Sequence, residues 1–90
     1  MDIEEVMKHL IRMSEEFEES IGHEILSEDT ICFHSSPKYY ELGRGVTLKY
    51  SPVFDFVAQL EKIDGCDFDL LEEEKTADDK DMAILHITIK

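Results

Sequence analysis

Positive charge is scarce in this chain. Nine Lys and Arg stand against 22 Asp and Glu, a formal net charge of −13 at pH 7. Nucleic-acid binding depends on cations that neutralise phosphates, and attraction to anionic membranes on basic segments, so both are excluded as direct partners. Cysteine is scarce too. Cys32 and Cys66 are too few for a disulfide framework and too isolated for a zinc knuckle. Both fall in alternating apolar stretches, where a reduced thiol behaves as a small hydrophobe. Apolar runs are short, none approaching the ~20 residues that span a bilayer. The opening MDIEEVMKHL is acidic where a secretory signal or transit peptide would be basic. A soluble cytoplasmic protein is the expectation.

What is present suffices for one domain covering residues 1–90, with 42% hydrophobic residues. At this length folding buries roughly 60–65% of the extended chain's surface. From Asp2 to Ile21 the apolar residues Ile3, Val6, Met7, Leu10, Phe17 and Ile21 recur at helical spacing. Asp2 and Glu5 fit a capping box, and Gly22 is placed to stop the helix. Glutamates in its last turn oppose the macrodipole. After a loop, Thr30–Ser35 reads as a strand, with Ile31 and Phe33 on one face and Cys32 and His34 on the other. The segments YYEL and VTLKY flank GRG as a hairpin, with Val46, Leu48 and Tyr50 expected to face the core. Ser51-Pro52 opens a second helix running to Ile63, with Gly65 at its end. Two more strands close the chain, Cys66, Phe68 and Leu70 pointing inward in the first and Ala83, Leu85, Ile87 and Ile89 in the second. The order α-β-β-β-α-β-β predicts an α+β domain, two helices on one face of an antiparallel sheet of about five strands.

The acids are unevenly spread. Seven lie between Asp2 and Glu19 and eight between Asp67 and Asp81, whereas the stretch from Thr30 to Ile63 is close to neutral. If the first helix and the last hairpin are adjacent, they form one strongly negative surface. Calcium takes six to eight oxygens and accepts flexible carboxylate sites. Asp67, Asp69, Glu72, Glu73, Glu74, Asp78, Asp79 and Asp81 supply that chemistry without the spacing or glycine of an EF-hand loop. Such a site would bind with a Kd on the order of 10⁻⁴–10⁻³ M. The alternative is a solvated hairpin end whose charges block edge-to-edge aggregation.

Other constellations are weaker. Cys32 and His34 share a strand face, but no second ligand pair accompanies them, and His9, His23 and His86 are dispersed. A Cys/His dyad with His86 lacks an orienting group and an oxyanion site, so no enzyme is expected. Arg44 at the tip of GRG, with Tyr39 and Tyr40 on opposite faces of their strand, is interface chemistry placed away from the acid.

The helix beginning MDIEEVMKH and the acidic hairpin EEEKTADDKD, with the size and acidity of the whole chain, resemble small uncharacterised proteins of methanogenic archaea. The resemblance implies an α+β domain of two helices and an antiparallel sheet, with an acidic surface that takes calcium, and no catalytic residue. The expectation is therefore a small non-enzymatic domain that binds divalent cations weakly, calcium first. The alternative is an interaction or regulatory module that docks a basic partner through the same acids. A charge mimic of nucleic acid ranks third.

Overall fold

The computed structural model describes residues 2–17, 20–60, 63, 67–77 and 80–90. The chain runs α1 (Ile3–Glu16), β1 (Gly22–Ile25), β2 (Thr30–Ser35), β3 (Lys38–Gly43), β4 (Val46–Tyr50), α2 (Pro52–Asp55), α3 (Val57–Leu60), β5 (Phe68–Ala77) and β6 (Lys80–Ile89). The α+β class is as expected from the sequence, but the strands divide into two sheets instead of one of about five. Four form an antiparallel sheet in the order β1-β2-β6-β5, and β3-β4 is a separate hairpin. No described helix is long and apolar enough to cross a membrane.

Helix α1 begins where expected, the Asp2 carboxylate accepting from the Glu5 N–H at 2.8 Å. It stops earlier than Ile21, because Phe17 is already extended. The last turn contains no cation and ends on Glu15 and Glu16, so its own side chains do not offset the negative end of the helix dipole. Phe17 and Ile21 still pack against the core from outside the helix. Gly22, expected as the helix stop, instead opens β1, a strand the periodicity does not reveal. Its Cα faces the His34 ring so closely that a Cβ there would lie 2.3 Å from Cε1. His23 is correspondingly in a strand.

Residues Ile31, Phe33, Ala83, Leu85, Ile87 and Ile89 cover one sheet face, and Val6, Met7, Leu10, Val53, Phe56 and Leu60 pack upon it. The second helix is not continuous to Ile63. It is two single turns separated at Phe56, tightened by i→i−3 bonds from Phe54 to Ser51, Gln59 to Phe56 and Ile63 to Leu60. The run Val53, Phe54, Phe56, Val57 is β-branched and aromatic, a poor helix former. Burial of Val53, Phe56 and Leu60 in the core, with α2 against β2 and β6, holds it instead. Ser51 precedes α2 but makes no side-chain cap bond. The Ser35 hydroxyl, from the end of β2, accepts the Val53 N–H at 3.1 Å in its place.

Hairpin β3-β4 turns through Arg44 and Gly45, both with positive φ, as a two-residue connection matched to strand twist requires. A bulge lies between Glu41 and Gly43. Contrary to expectation, Val46 and Leu48 do not face the core; both are more than half exposed.

Candidate functional site

Strand β5 presents its side chains alternately to the two faces of the sheet. Register with β6 puts Phe68, Leu70, Glu72 and Glu74 on the core side, and Asp69, Leu71, Glu73 and Lys75 on the other. The proposed calcium ligands are therefore divided between faces. Of the six that are described, four carboxylates also have partners within the chain. Asp69 pairs with Lys90 at 3.0 Å, Glu73 with His86 at 3.3 Å and Lys75 at 3.7 Å, and Glu74 with Lys49 at 3.6 Å. The Asp67 carbonyl accepts the Lys90 N–H. Asp81 accepts from Thr76 Oγ1 at 2.8 Å and from the Tyr39 hydroxyl. Glu72 lies on the core-side face near the Glu74 position, and Asp78 and Asp79 lie outside the described residues. Among the described residues no group of three or more His, Cys, Asp or Glu could hold a metal ion.

The start of the first acidic segment lies away from the β5-β6 hairpin. The first three turns of α1 lie beside Ile25 and the β1-β2 turn, at the sheet edge opposite β5. Strands β2 and β6 intervene. The opening acids of α1 therefore do not join the hairpin's charge, while Glu18 and Glu19 lie outside the described residues.

Tyr39, expected away from the acid, is bonded to it. The Tyr39 hydroxyl donates to Asp81, and its ladder partner Lys49 reaches Glu74. The hydrogen bonds from Tyr39 and Thr76 hold the Asp81 carboxyl below its usual pKa, and the bond to Asp81 raises that of Tyr39. A lowered folded-state pKa stabilises above the unfolded value of ~3.9 and is lost as pH falls through the folded value. For tyrosine the raised value stabilises below ~10 and is lost as pH rises through the folded value. The contact should thus persist across the neutral range and loosen at both extremes. Tyr39 ring shifts followed by NMR should stay flat from pH 5 to 9 and move, with Asp81, as the pH drops below ~4. Movement centred near neutrality would contradict this pairing.

Both tyrosines are exposed, not one of the two, and Arg44 occupies the hairpin tip. The hairpin's faces are unlike. Tyr39, Glu41, Thr47 and Lys49 form the side joined to the β5-β6 end. Tyr40, Leu48 and Val46, with Leu42 in the bulge, form an apolar side left in solvent.

The sheet face without packed helices carries a row that sequence spacing did not reveal. Glu24, Cys32, His86 and Leu71 are successive ladder partners across all four strands. Cys32 Sγ lies 3.9 Å from the Phe33 carbonyl, and burial, then Glu24 and Glu73, push its pKa up. A thiol kept protonated is the reverse of an activated nucleophile. Cys66 lies outside the described residues.

Two further surfaces also escaped sequence reasoning. Strand β5 is a ten-residue edge strand with which, among the described residues, only β6 pairs, and Leu70 and Leu71 are exposed on it, Leu71 by 57%. The adjacent leucines were the available signal, since consecutive apolar residues in a strand point to opposite faces. The other is an apolar groove between α1 and β1 of about 470 Å³.

Comparison with protein-family models, with curated proteins and with solved structures finds no match to this chain.

Proposed function

We propose that this chain is a small non-enzymatic interaction module that takes up an extended basic segment of another protein along β5. The outer edge of β5, with which no described strand pairs, carries the reading. The Lys90 N–H bonds to the Asp67 carbonyl, so by antiparallel alternation the odd-numbered residues of β5 pair with β6. The backbone groups of Leu70, Glu72 and Glu74 then point away from the sheet. An added strand would complete them, as in β-augmentation, and alternate side chains would supply specificity. Exposed Glu72 favours lysine or arginine on the incoming strand, which would compete with Lys90 and Lys49 for Asp69 and Glu74, and Leu70 and Leu71 favour apolar neighbours. The same charges keep two copies from joining here, because like charges directly opposite are destabilising.

A nine-residue peptide alternating lysine and valine is a suitable probe. Its addition should slow amide exchange at Leu70, Glu72 and Glu74, and Glu72→Lys should weaken binding. A glutamate–valine peptide should do nothing. Unchanged exchange at millimolar lysine–valine peptide would sink the reading.

Weak calcium binding is the second reading. Glu74 and Asp81 share the face at the β5-β6 end, and Asp78 and Asp79 lie between the strands in sequence. The internal pairing of Glu74 and Asp81 weighs against it. Calcium should therefore give amide shifts no larger than sodium chloride of equal ionic strength. Saturable shifts confined to residues 67–81 would favour calcium instead.

A further inference from the structure

Residues 38–50 carry Lys38, Arg44 and Lys49 against Glu41, a net positive and extended stretch in a chain of −13. The β3-β4 hairpin thus has the chemistry of the segment that β5 would take up. Lys49 places its ammonium 3.6 Å from the Glu74 carboxylate. Tyr39, directly opposite Lys49 in the ladder, donates its hydroxyl to Asp81 and so fixes the strand pair at the same end of the sheet. Pro37 and Ser51, at the hairpin root, line a cavity of about 210 Å³ there together with Lys49, Glu74 and Asp81.

The hairpin is lightly held. Lys49 and Glu74 are both exposed, and exposed ion pairs contribute little. Among the described elements none packs broadly on β3 or β4. The apolar side, with Tyr40, Leu42, Val46 and Leu48, faces solvent and does not fasten it. Ser36-Pro37 and Ser51 join it to the body outside any helix or strand, the kind of position at which hinges form. The Tyr50 hydroxyl donates to Asp55 at 2.8 Å and keeps the root near α2, so release would loosen the hairpin without detaching it.

We propose, resting on the reading of β5 as the docking edge, that the β3-β4 hairpin is an autoinhibitory strap whose Lys49 holds Glu74 in place of the incoming segment's cation. The backbone groups of Glu74 point outward with those of Leu70 and Glu72, so a strand paired along this edge brings a side chain beside Glu74. A lysine arriving there meets Lys49 and must displace it. Glu72 is exposed on the same face of β5, so entry can begin there and advance to Glu74. Displacement leaves Tyr39–Asp81 as the remaining clasp and couples docking to loosening of the hairpin. The coupling is reciprocal: whatever loosens the hairpin tightens docking by the same factor.

Lys49→Gln removes the competing cation at similar length, and Tyr39→Phe removes only the hydroxyl that positions it. Lys8→Gln, beside Glu4 at the opposite edge of the sheet, removes the same charge and is the control. All three residues are exposed, so the circular dichroism spectra should match that of the unmodified chain. Titration with the nine-residue lysine–valine peptide at constant ionic strength should give Lys49→Gln and Tyr39→Phe a Kd lower by about two- to fivefold, the worth of an exposed pair. Lys8→Gln should leave it unchanged. In the unmodified chain, NMR signals of Tyr39 and Lys49 should move in step with those of Leu70 and Glu72. Equal affinity in all four chains, or equal tightening by Lys8→Gln, overturns the strap and leaves uptake along β5 standing. Hairpin signals that stay still while Leu70 and Glu72 saturate overturn it in the same way. Binding by none of the four chains overturns the strap and the β5 reading together.

Discussion

Phe33→Ala should destabilise the domain by about 3–5 kcal/mol, the cost of emptying a large buried aromatic site. Phe33 is fully buried, and its ring lies 5.0 Å from that of Phe56 and 6.3 Å from that of His23. Phe56 in turn meets Phe17 edge-on at 5.9 Å. This chain of rings ties β1 and β2 to the helical turns and to the end of α1. Its removal leaves a cavity where the layers meet, with no flexible side chain such as methionine among the ring partners to fill it. Domains are stable by only about 5–15 kcal/mol, so the variant should lose a large share of its stability. Thermal unfolding should show a Tm lower by at least about 12 °C. A drop of only a few degrees would mean that the aromatic chain is not the centre of the fold.

The second large effect is expected at Ser35. Its hydroxyl is the acceptor for the buried Val53 N–H, one of the donors that a helix start leaves without an internal partner. Ser35→Ala removes that acceptor and strands the N–H, at a cost of about 1–3 kcal/mol. Ser51→Ala, at the position that sequence favours as the cap, removes no side-chain bond and should stay within about 0.5 kcal/mol. Urea unfolding of the two variants separates the possibilities. Equal losses, or a larger one at Ser51, would show that the helix start is capped locally after all.

That reversal illustrates how much could be read along the chain. A Ser-Pro pair marks a helix start correctly, since proline supplies the first helical φ whatever surrounds it. Which hydroxyl satisfies the orphan donor depends on what β2 brings alongside, eighteen residues away in sequence. Strand β1 was missed because its GHEI segment is largely exposed and has no buried alternation to detect. The hairpin was legible as a hairpin, through GRG and the period-two pattern. Its orientation was not, because an apolar face facing solvent and one facing a core have identical sequences. The candidate acids were all visible, but their roles were not. Adjacent carboxylates suggest a cation, but only the fold shows that Lys49, Lys90, His86 and Tyr39 reach four of them.

Taken alone, the order of residues determined the class of the fold, the buried faces of α1, β2 and β6, the turn at Arg44–Gly45 and the excess of negative charge. These follow from local periodicity, backbone preference and counting. The tertiary structure alone decided the strand order β1-β2-β6-β5, the separation of β3-β4 from that sheet, the edge position of β5 and the placement of the opening turns of α1 beside β1. The reason is that pairing, exposure and charge compensation are relations between distant residues, and no local pattern encodes which of several compatible neighbours each surface meets.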